Sequence, residues 1–102
     1  VAATATPGTL IHTATSDDKP HAYDEVYLWA VNVTGTDATL TIEWGGVLAP
    51  GDHMTSAYVV TARSQPIAIA TGQRLRNGLA IRAFSGTTNA INIFGMCNRK
   101  LP

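Results

Sequence analysis

Three histidines offer the most versatile chemistry in this sequence, because a neutral imidazole can ligate a metal ion or transfer a proton. They are His12, His21 and His53, in one predicted strand and two separate loops. No spacing places two of them on one face of a single element, so any metal site would require the fold to gather them. Such a facial cluster would also use carboxylates near the histidines, namely Asp17, Asp18, Asp24 and Asp52. We expect these residues to be solvated instead, and we predict no metal or other cofactor.

Hydrolytic chemistry finds little support in the residue pattern. A catalytic triad needs serine, histidine and aspartate in register, and no serine here lies in a nucleophile-elbow context. Glu43 could act as a general acid, as one of the paired carboxylates that glycoside hydrolysis uses. The alternating pattern, however, places Glu43 on the other face of the strand from Leu40, Ile42 and Trp44, and it predicts a solvated outer position for Glu43. We therefore predict that the protein is not an enzyme.

The single cysteine, Cys97, lies in the apolar segment Ile91 to Cys97. We expect a buried thiol there, with neither an intramolecular disulfide nor a cysteine-based zinc site. The aromatic residues could form a platform that stacks on sugars. Its members would be Tyr23, Tyr27, Trp29, Trp44 and Tyr58. We expect both tryptophans to pack in the core instead.

Composition excludes several classes of partner. The 102 residues suffice for one domain with one core. Charged residues make up 14% of the chain, against roughly 25% in typical soluble domains, and seven basic residues balance seven acidic ones. Since the basic residues are scattered, we expect no nucleic-acid partner. No segment approaches the roughly 18 apolar residues of a membrane span, and the segment VAATATPGTL lacks the features of a signal peptide, so we expect no membrane partner.

Residues 23–44 give the clearest structural signal, a long apolar strand followed by a polar turn and an alternating strand. Val26 to Val33 form a nearly unbroken run of strand-forming residues, while Leu40, Ile42 and Trp44 alternate with polar residues. This pattern predicts a β-hairpin that turns at Gly35 to Asp37. A second hairpin is predicted between Leu79 to Phe84 and Ala90 to Cys97.

Further strand signals predict an all-β protein. They recur about 8 to 12 residues apart, separated by turn residues and without a helical apolar stripe. We predict a single antiparallel β-sandwich with jelly-roll-like topology and about seven or eight strands over residues 9–102. Residues 1–8, VAATATPG, are small and polar and predict an extended N-terminal arm that either frays or lies on a neighbour.

The strand Val26 to Val33 carries large residues on both faces. One face must pack on the core, and the other needs a cover, which could be the chain's own loops or a neighbouring subunit. Low charge favours association, because net charge normally keeps small domains apart. We therefore predict a partner interface that includes Tyr27 and Trp29, together with the arm residues Val1, Ala2, Ala3, Thr4, Ala5, Thr6 and Pro7.

Two long segments resemble small virion proteins of tailed bacteriophages. They are VYLWAVNVTGTDATLTIEWGG and PIAIATGQRLRNGLAIRAFSGTTNAINIFGMCNR, and the likeness covers roughly residues 9 to 99. The second segment is similar to the recurrent ending of these proteins, in which a Gly-centred turn, a Leu-x-Ile/Val-x-Ala strand and the closing strand Asn-Ala-Ile-Asn-Ile-Phe-Gly follow one another. The resemblance implies a β-sandwich or jelly roll that serves in assembly, with no catalytic residue to transfer.

The resemblance also implies a location and partners. We expect a head decoration protein on the capsid exterior of the virion, assembled in the host cytoplasm. Its partners would be the major capsid protein and copies of itself, with a homotrimer favoured. A head-to-tail connector, a collar or a head-fibre component is an alternative. A carbohydrate-binding β-sandwich module is a further one, and it would require exposed aromatic side chains.

Overall fold

The computed structural model describes residues 1–17, 19 and 21–101 of the chain. This part contains seven β-strands and no helix, so no helical membrane span occurs in it. The strands are β1 (Thr9–Thr13), β2 (Tyr23–Asn32), β3 (Ala38–Trp44), β4 (His53–Val60), β5 (Ile67–Leu75), β6 (Ala80–Ser85) and β7 (Ile91–Lys100).

The strands form two sheets that pack face to face. Sheet A has the order β1-β6-β3-β4, and sheet B has the order β5-β2-β7. Every pairing of neighbouring strands is antiparallel. The structure confirms the predicted all-β sandwich, while the jelly-roll-like connectivity stays a prediction.

Alternation along β2 determines which of its faces enters the core. Val26, Leu28 and Ala30 are buried, whereas Tyr27 and Trp29 are partly exposed on the opposite face. Sheet A supplies the other half of the core, largely from Leu40, Ile42 and Ile81, whose side chains are fully buried. Burial of this apolar surface is the main force that holds the two sheets together.

The hairpin predicted for residues 23–44 is wrong. β2 lies in sheet B and pairs with β5 and β7, whereas β3 lies in sheet A and pairs with β4 and β6. The predicted hairpin of β6 and β7 is wrong for the same reason, since these strands also lie in different sheets. Alternation of apolar residues shows that one face of a strand packs on the core, but it does not show which strand pairs with it. Consecutive strands in different sheets of a sandwich therefore have the same pattern as the two strands of a hairpin.

Asn32, at the end of β2, holds in place the link between β2 and β3, which leads from sheet B to sheet A. Its amide nitrogen donates to the carbonyls of Thr36 (2.8 Å) and Val60 (3.0 Å). Its amide oxygen accepts from the backbone N–H (2.9 Å) and the hydroxyl (2.7 Å) of Thr34. Because Asn32 is fully buried, these four bonds satisfy its amide without water.

The N-terminal arm lies against its own domain. The ammonium group of Val1 donates to the Ile91 carbonyl (2.6 Å), and the Ser85 N–H donates to the Ala3 carbonyl (3.1 Å). At the other end, Gly8 is buried so close to the backbone of Ala83 that a Cβ atom on it would lie 2.5 Å from the Ala83 oxygen. The start of the arm therefore lies along the connection from β6 to β7, and its end lies on sheet A beside β6.

Candidate partner interface

The outer face of sheet B carries a cluster of large apolar side chains. We call it the aromatic face and define it as Tyr27 and Trp29 of β2 with Phe94 and Met96 of β7. Tyr27 is directly opposite Met96, and Trp29 is directly opposite Phe94, so the four side chains lie on the same side of the sheet. Phe94 and Met96 are 50% and 57% exposed.

The ring of Trp29 stacks on that of Phe94. Their centroids are 6.2 Å apart, and the ring planes differ by 19°. Stacked aromatic pairs of this kind contribute about 0.5–1.5 kcal/mol beyond the area that they bury. The pair therefore presents two nearly parallel rings on the outer face of sheet B.

Charged residues border the aromatic face at one end of β2. The Lys100 ammonium lies 4.0 Å from the Glu25 carboxylate, and the Arg74 guanidinium lies 4.4 Å from the centroid of the Tyr23 ring. An apolar centre with a charged rim is the usual anatomy of a protein–protein interface.

The thinness of the molecule explains why this face stays uncovered. The Cα atoms of the described residues extend over 45 × 26 × 18 Å. Since packed sheets lie about 10 Å apart, the shortest dimension accommodates two sheets with their loops and leaves no room for a third layer. The chain's own loops therefore do not cover Phe94 and Met96, and the cover must be a partner or water.

Strand β7 also forms the least protected edge of the sandwich. The other edge strands, β1, β4 and β5, each contain a bulge or irregularity in their pairing. β7 pairs with β2 along all 10 of its residues without one. Bulges normally guard sheet edges against pairing with another chain, so their absence from β7 leaves this edge open to a partner strand.

The predicted interface residues form two separate surfaces. Tyr27 and Trp29 belong to the aromatic face. The arm is anchored near its ends, whereas Thr4, Ala5 and Pro7 are exposed between or beside the anchors. Thr6 is exposed too, but its hydroxyl is bonded to Glu43. The arm is neither frayed nor placed on a neighbour in the single chain, and its contact with a partner stays a prediction.

Glu43 is the anchor of the arm, and its predicted solvated position is wrong. The side chain is 0% exposed. Its two carboxylate oxygens accept from the Thr6 hydroxyl (2.6 Å) and the Gly8 N–H (2.7 Å). The alternation of β3 does point Glu43 away from Leu40 and Ile42, as predicted, but the arm then covers that outer surface.

The prediction that both tryptophans pack in the core is wrong for Trp29. Trp44 is partly buried against the core cluster, whereas Trp29 lies on the outer face of sheet B. The residues of the aromatic face that the sequence analysis did not identify are Phe94 and Met96. A signal for Phe94 existed, because β7 alternates Ile91 and Ile93 with Asn92 and Phe94, and this pattern places Phe94 among polar outward residues.

The histidines do not converge, but one of them enters an unexpected cluster. The His12 Nε2 atom lies 2.6 Å from Oδ2 of Asp24, a fully buried residue. The Arg99 guanidinium donates to both oxygens of Asp24, at 2.9 and 3.0 Å. Hydrogen bonding to Arg99 lowers the pKa of Asp24 and outweighs the effect of its burial, so the carboxylate is charged. The expectation that His12 and Asp24 are solvated is therefore wrong, because Asp24 is fully buried and His12 is bonded to it.

Comparison of the chain with protein-family models, with curated proteins and with solved structures found no match.

Proposed function

We propose that the protein is a non-enzymatic structural component of a tailed-phage virion, and more specifically a head decoration protein on the capsid exterior. The observation that carries the proposal is the uncovered aromatic face beside the unbulged edge strand β7. A monomer rarely exposes a contiguous apolar patch unless the patch serves as an interaction site. The resemblance of residues 9 to 99 to phage virion proteins supports the virion as the place of assembly.

The two predicted surfaces would have different partners. The aromatic face would contact another copy of the chain in a homotrimer, since its apolar centre suits a permanent contact. The exposed side of the arm would contact the major capsid protein. Copies that touch each other and the shell bind with high avidity, because the first attachment raises the effective concentration of the others.

The proposed action is mechanical. Packaged DNA loads the shell from inside, and a decoration protein that spans capsid subunits adds interface area that must be broken before the lattice opens. A specific interface of standard size buries about 1,600 Å² in total. Many such contacts over the shell would raise its resistance to heat and to internal pressure.

Co-sedimentation with capsids tests the proposal. The purified chain is mixed with unexpanded and expanded shells of the phage that encodes it, and the pelleted protein is quantified. We expect saturable binding to expanded shells only. The substitution Thr4→Asp on the exposed side of the arm should weaken binding, and Thr61→Asp, a matched change at another exposed threonine, should not. Absence of binding to any shell would contradict the decoration role.

A carbohydrate-binding module is the second candidate. The partly exposed Trp29–Phe94 stack favours it, since aromatic platforms bind sugar rings. The outward residues Asn92 and Asn98 flank Phe94 and Met96 on the same face and would supply hydrogen bonds. A glycan array distinguishes the two: hits that Phe94→Ala abolishes would favour this candidate over decoration.

A further inference from the structure

Three potential metal ligands from both sheets meet at one end of the sandwich. His12 comes from β1 of sheet A, whereas Asp24 and Cys97 come from β2 and β7 of sheet B. Each offers one donor atom, and these nitrogen, oxygen and sulfur atoms all lie within 4.8 Å of one another. The residues are far apart in sequence, so this arrangement results from the packing of the two sheets.

The register of sheet B holds two of the ligands in place. Asp24 is directly opposite Arg99, and Val26 is directly opposite Cys97. Asp24 and Cys97 are thus diagonal neighbours on the inner face of the sheet, a separation that side chains can bridge. His12 reaches them from the edge strand of the other sheet.

Arg99 prepares the carboxylate for this role. Its Nε and Nη2 atoms donate to Oδ1 and Oδ2 of Asp24, and these bonds fix the orientation of the carboxylate. Carboxylates that ligate metals usually accept such outer hydrogen bonds. Arg99 can retain its bond to Oδ1 while Oδ2, which faces His12 at 2.6 Å, turns to a cation.

An opening leads to the cluster. A cavity of about 220 Å³ is lined by His12 and Cys97 together with apolar side chains that include Ile11, Val26 and Leu28. Asp24 is fully buried, whereas His12 and Cys97 are partly exposed. An ion can therefore enter from the cavity, and a water molecule there can fill one further coordination position.

We propose that His12, Asp24 and Cys97 form a binding site for one divalent cation of borderline softness, with Zn²⁺ the best match. Imidazole, carboxylate and thiolate are the ligands that Zn²⁺ takes in proteins, and three of them with one water complete a tetrahedron. Tetrahedral bonds of about 2.0 to 2.3 Å place neighbouring donor atoms about 3.3 to 3.7 Å apart. The His12–Asp24 distance of 2.6 Å is shorter than this separation, and all three donor atoms lie within 4.8 Å of one another, so binding requires only small shifts of the side chains.

Binding would join the two sheets. The cation takes the place of the hydrogen bond between His12 Nε2 and Asp24 Oδ2. The neutral imidazole ligates through Nε2 and carries its one proton on Nδ1, and the Cys97 thiol releases its proton to solvent as the zinc–sulfur bond forms. Because His12 belongs to sheet A and both other ligands belong to sheet B, the bound ion resists separation of the sheets. The site is independent of the proposed function, and no step of capsid binding requires it.

Metal titration of the purified full chain tests the proposal. The protein is stripped with a chelator and titrated with Zn²⁺ by calorimetry, and with Co²⁺ by absorption spectroscopy. We expect one ion per chain, a higher melting temperature, and a thiolate-to-cobalt charge-transfer band. The band reports Cys97 directly in the unaltered protein, since the sequence contains one cysteine.

Variants identify the ligands. Cys97→Ser should abolish the charge-transfer band, and both Cys97→Ser and His12→Gln should weaken Zn²⁺ binding by about tenfold or more, a loss of the size seen on disturbing metal sites. His21→Gln, at an exposed histidine outside the cluster, should bind Zn²⁺ as the unaltered protein does. The proposal is overturned if no ion binds at one per chain, if cobalt gives no thiolate band, or if Cys97→Ser and His21→Gln bind equally well. Any of these results would leave the cluster as an ion-pair link between the sheets.

Discussion

At the scale of single residues, two buried polar side chains decide how loops attach to this sandwich. Glu43 holds the arm through two hydrogen bonds, and Asn32 holds the link between β2 and β3 through four. Both residues are fully buried, so their bonds cannot be replaced by water in the folded state. Removal of one partner of a buried hydrogen bond costs about 1–3 kcal/mol, because the other partner stays buried and unsatisfied.

Glu43→Ala should release the end of the arm that contains Thr6 and Gly8 and destabilise the fold by about 1–3 kcal/mol. The Gly8 N–H, which donates to Glu43 at 2.7 Å, would lose its acceptor in a buried position. We expect faster hydrogen exchange of the Gly8 amide and a lower urea midpoint, while Val1 and Ala3 keep their backbone bonds to Ile91 and Ser85. Glu25→Ala is the matched control, because Glu25 lies on the outer face of β2, 4.0 Å from the exposed Lys100 ammonium, and should change stability by less than about 1 kcal/mol. Equal effects of the two substitutions would contradict the anchoring role of Glu43.

Asn32→Asp should destabilise the protein by about 2 kcal/mol or more. A carboxylate lacks the N–H groups that donate to Thr36 and Val60, and it would bring negative charge to both carbonyls. Chemical unfolding measures the loss. The same change at Asn92, an exposed position of β7, should be nearly neutral. If Asn32→Asp unfolds at the same urea concentration as Asn92→Asp, the buried amide network does not hold the link.

At the scale of elements, the contact of β2 with β7 depends on a glycine. Gly95 is directly opposite Leu28, and a Cβ atom on Gly95 would collide with the backbone carbonyl oxygen of Tyr27. Backbone atoms cannot move aside as a flexible side chain can. The close approach of these two strands therefore requires a residue without a side chain at this position.

Gly95→Ala should push β7 away from β2 and destabilise the sandwich by at least about 1–3 kcal/mol, the usual cost of overpacking. Hydrogen exchange of the β7 amides should increase together with the loss of thermal stability. Gly51→Ala is the control, since no heavy atom lies within 4 Å of a Cβ atom built there. A melting temperature of Gly95→Ala equal to that of Gly51→Ala would show that the strands adapt.

At the scale of the whole molecule, two thin sheets leave one large apolar face without a cover. The inward residues of both sheets form the core, and the aromatic face lies on the outer side of sheet B. The chain has no net formal charge, so long-range repulsion does not oppose contact between copies. Self-association is the expected consequence.

The purified protein should form an oligomer that Phe94→Asp dissociates. A charged side chain at this half-exposed position should disrupt an apolar interface while leaving the core intact. Light scattering coupled to size exclusion gives the mass, with a trimer expected for the unaltered chain. Leu48→Asp, at a loop leucine that is 74% exposed, is the control and should keep the oligomer. If the unaltered protein is a monomer, the hypothesis that the aromatic face joins copies of the chain is rejected.

Sequence periodicity was sufficient to predict the strands and the fold class. Val26 and Leu28 alternate with Tyr27 and Trp29, and alternation with a period of two depends on the backbone of one strand alone. The composition likewise predicted one domain of low charge. These features are local or additive, so they can be evaluated without knowledge of which strands are neighbours.

The tertiary structure decided what lies beside each strand. β2 and β3 belong to different sheets instead of forming a hairpin, and the arm buries Glu43 on a face that alternation assigned to solvent. The cluster of His12, Asp24 and Cys97 likewise arises where two sheets meet. These features depend on contacts between residues far apart in the chain, and a pattern within one strand carries no information about the strand that will lie opposite.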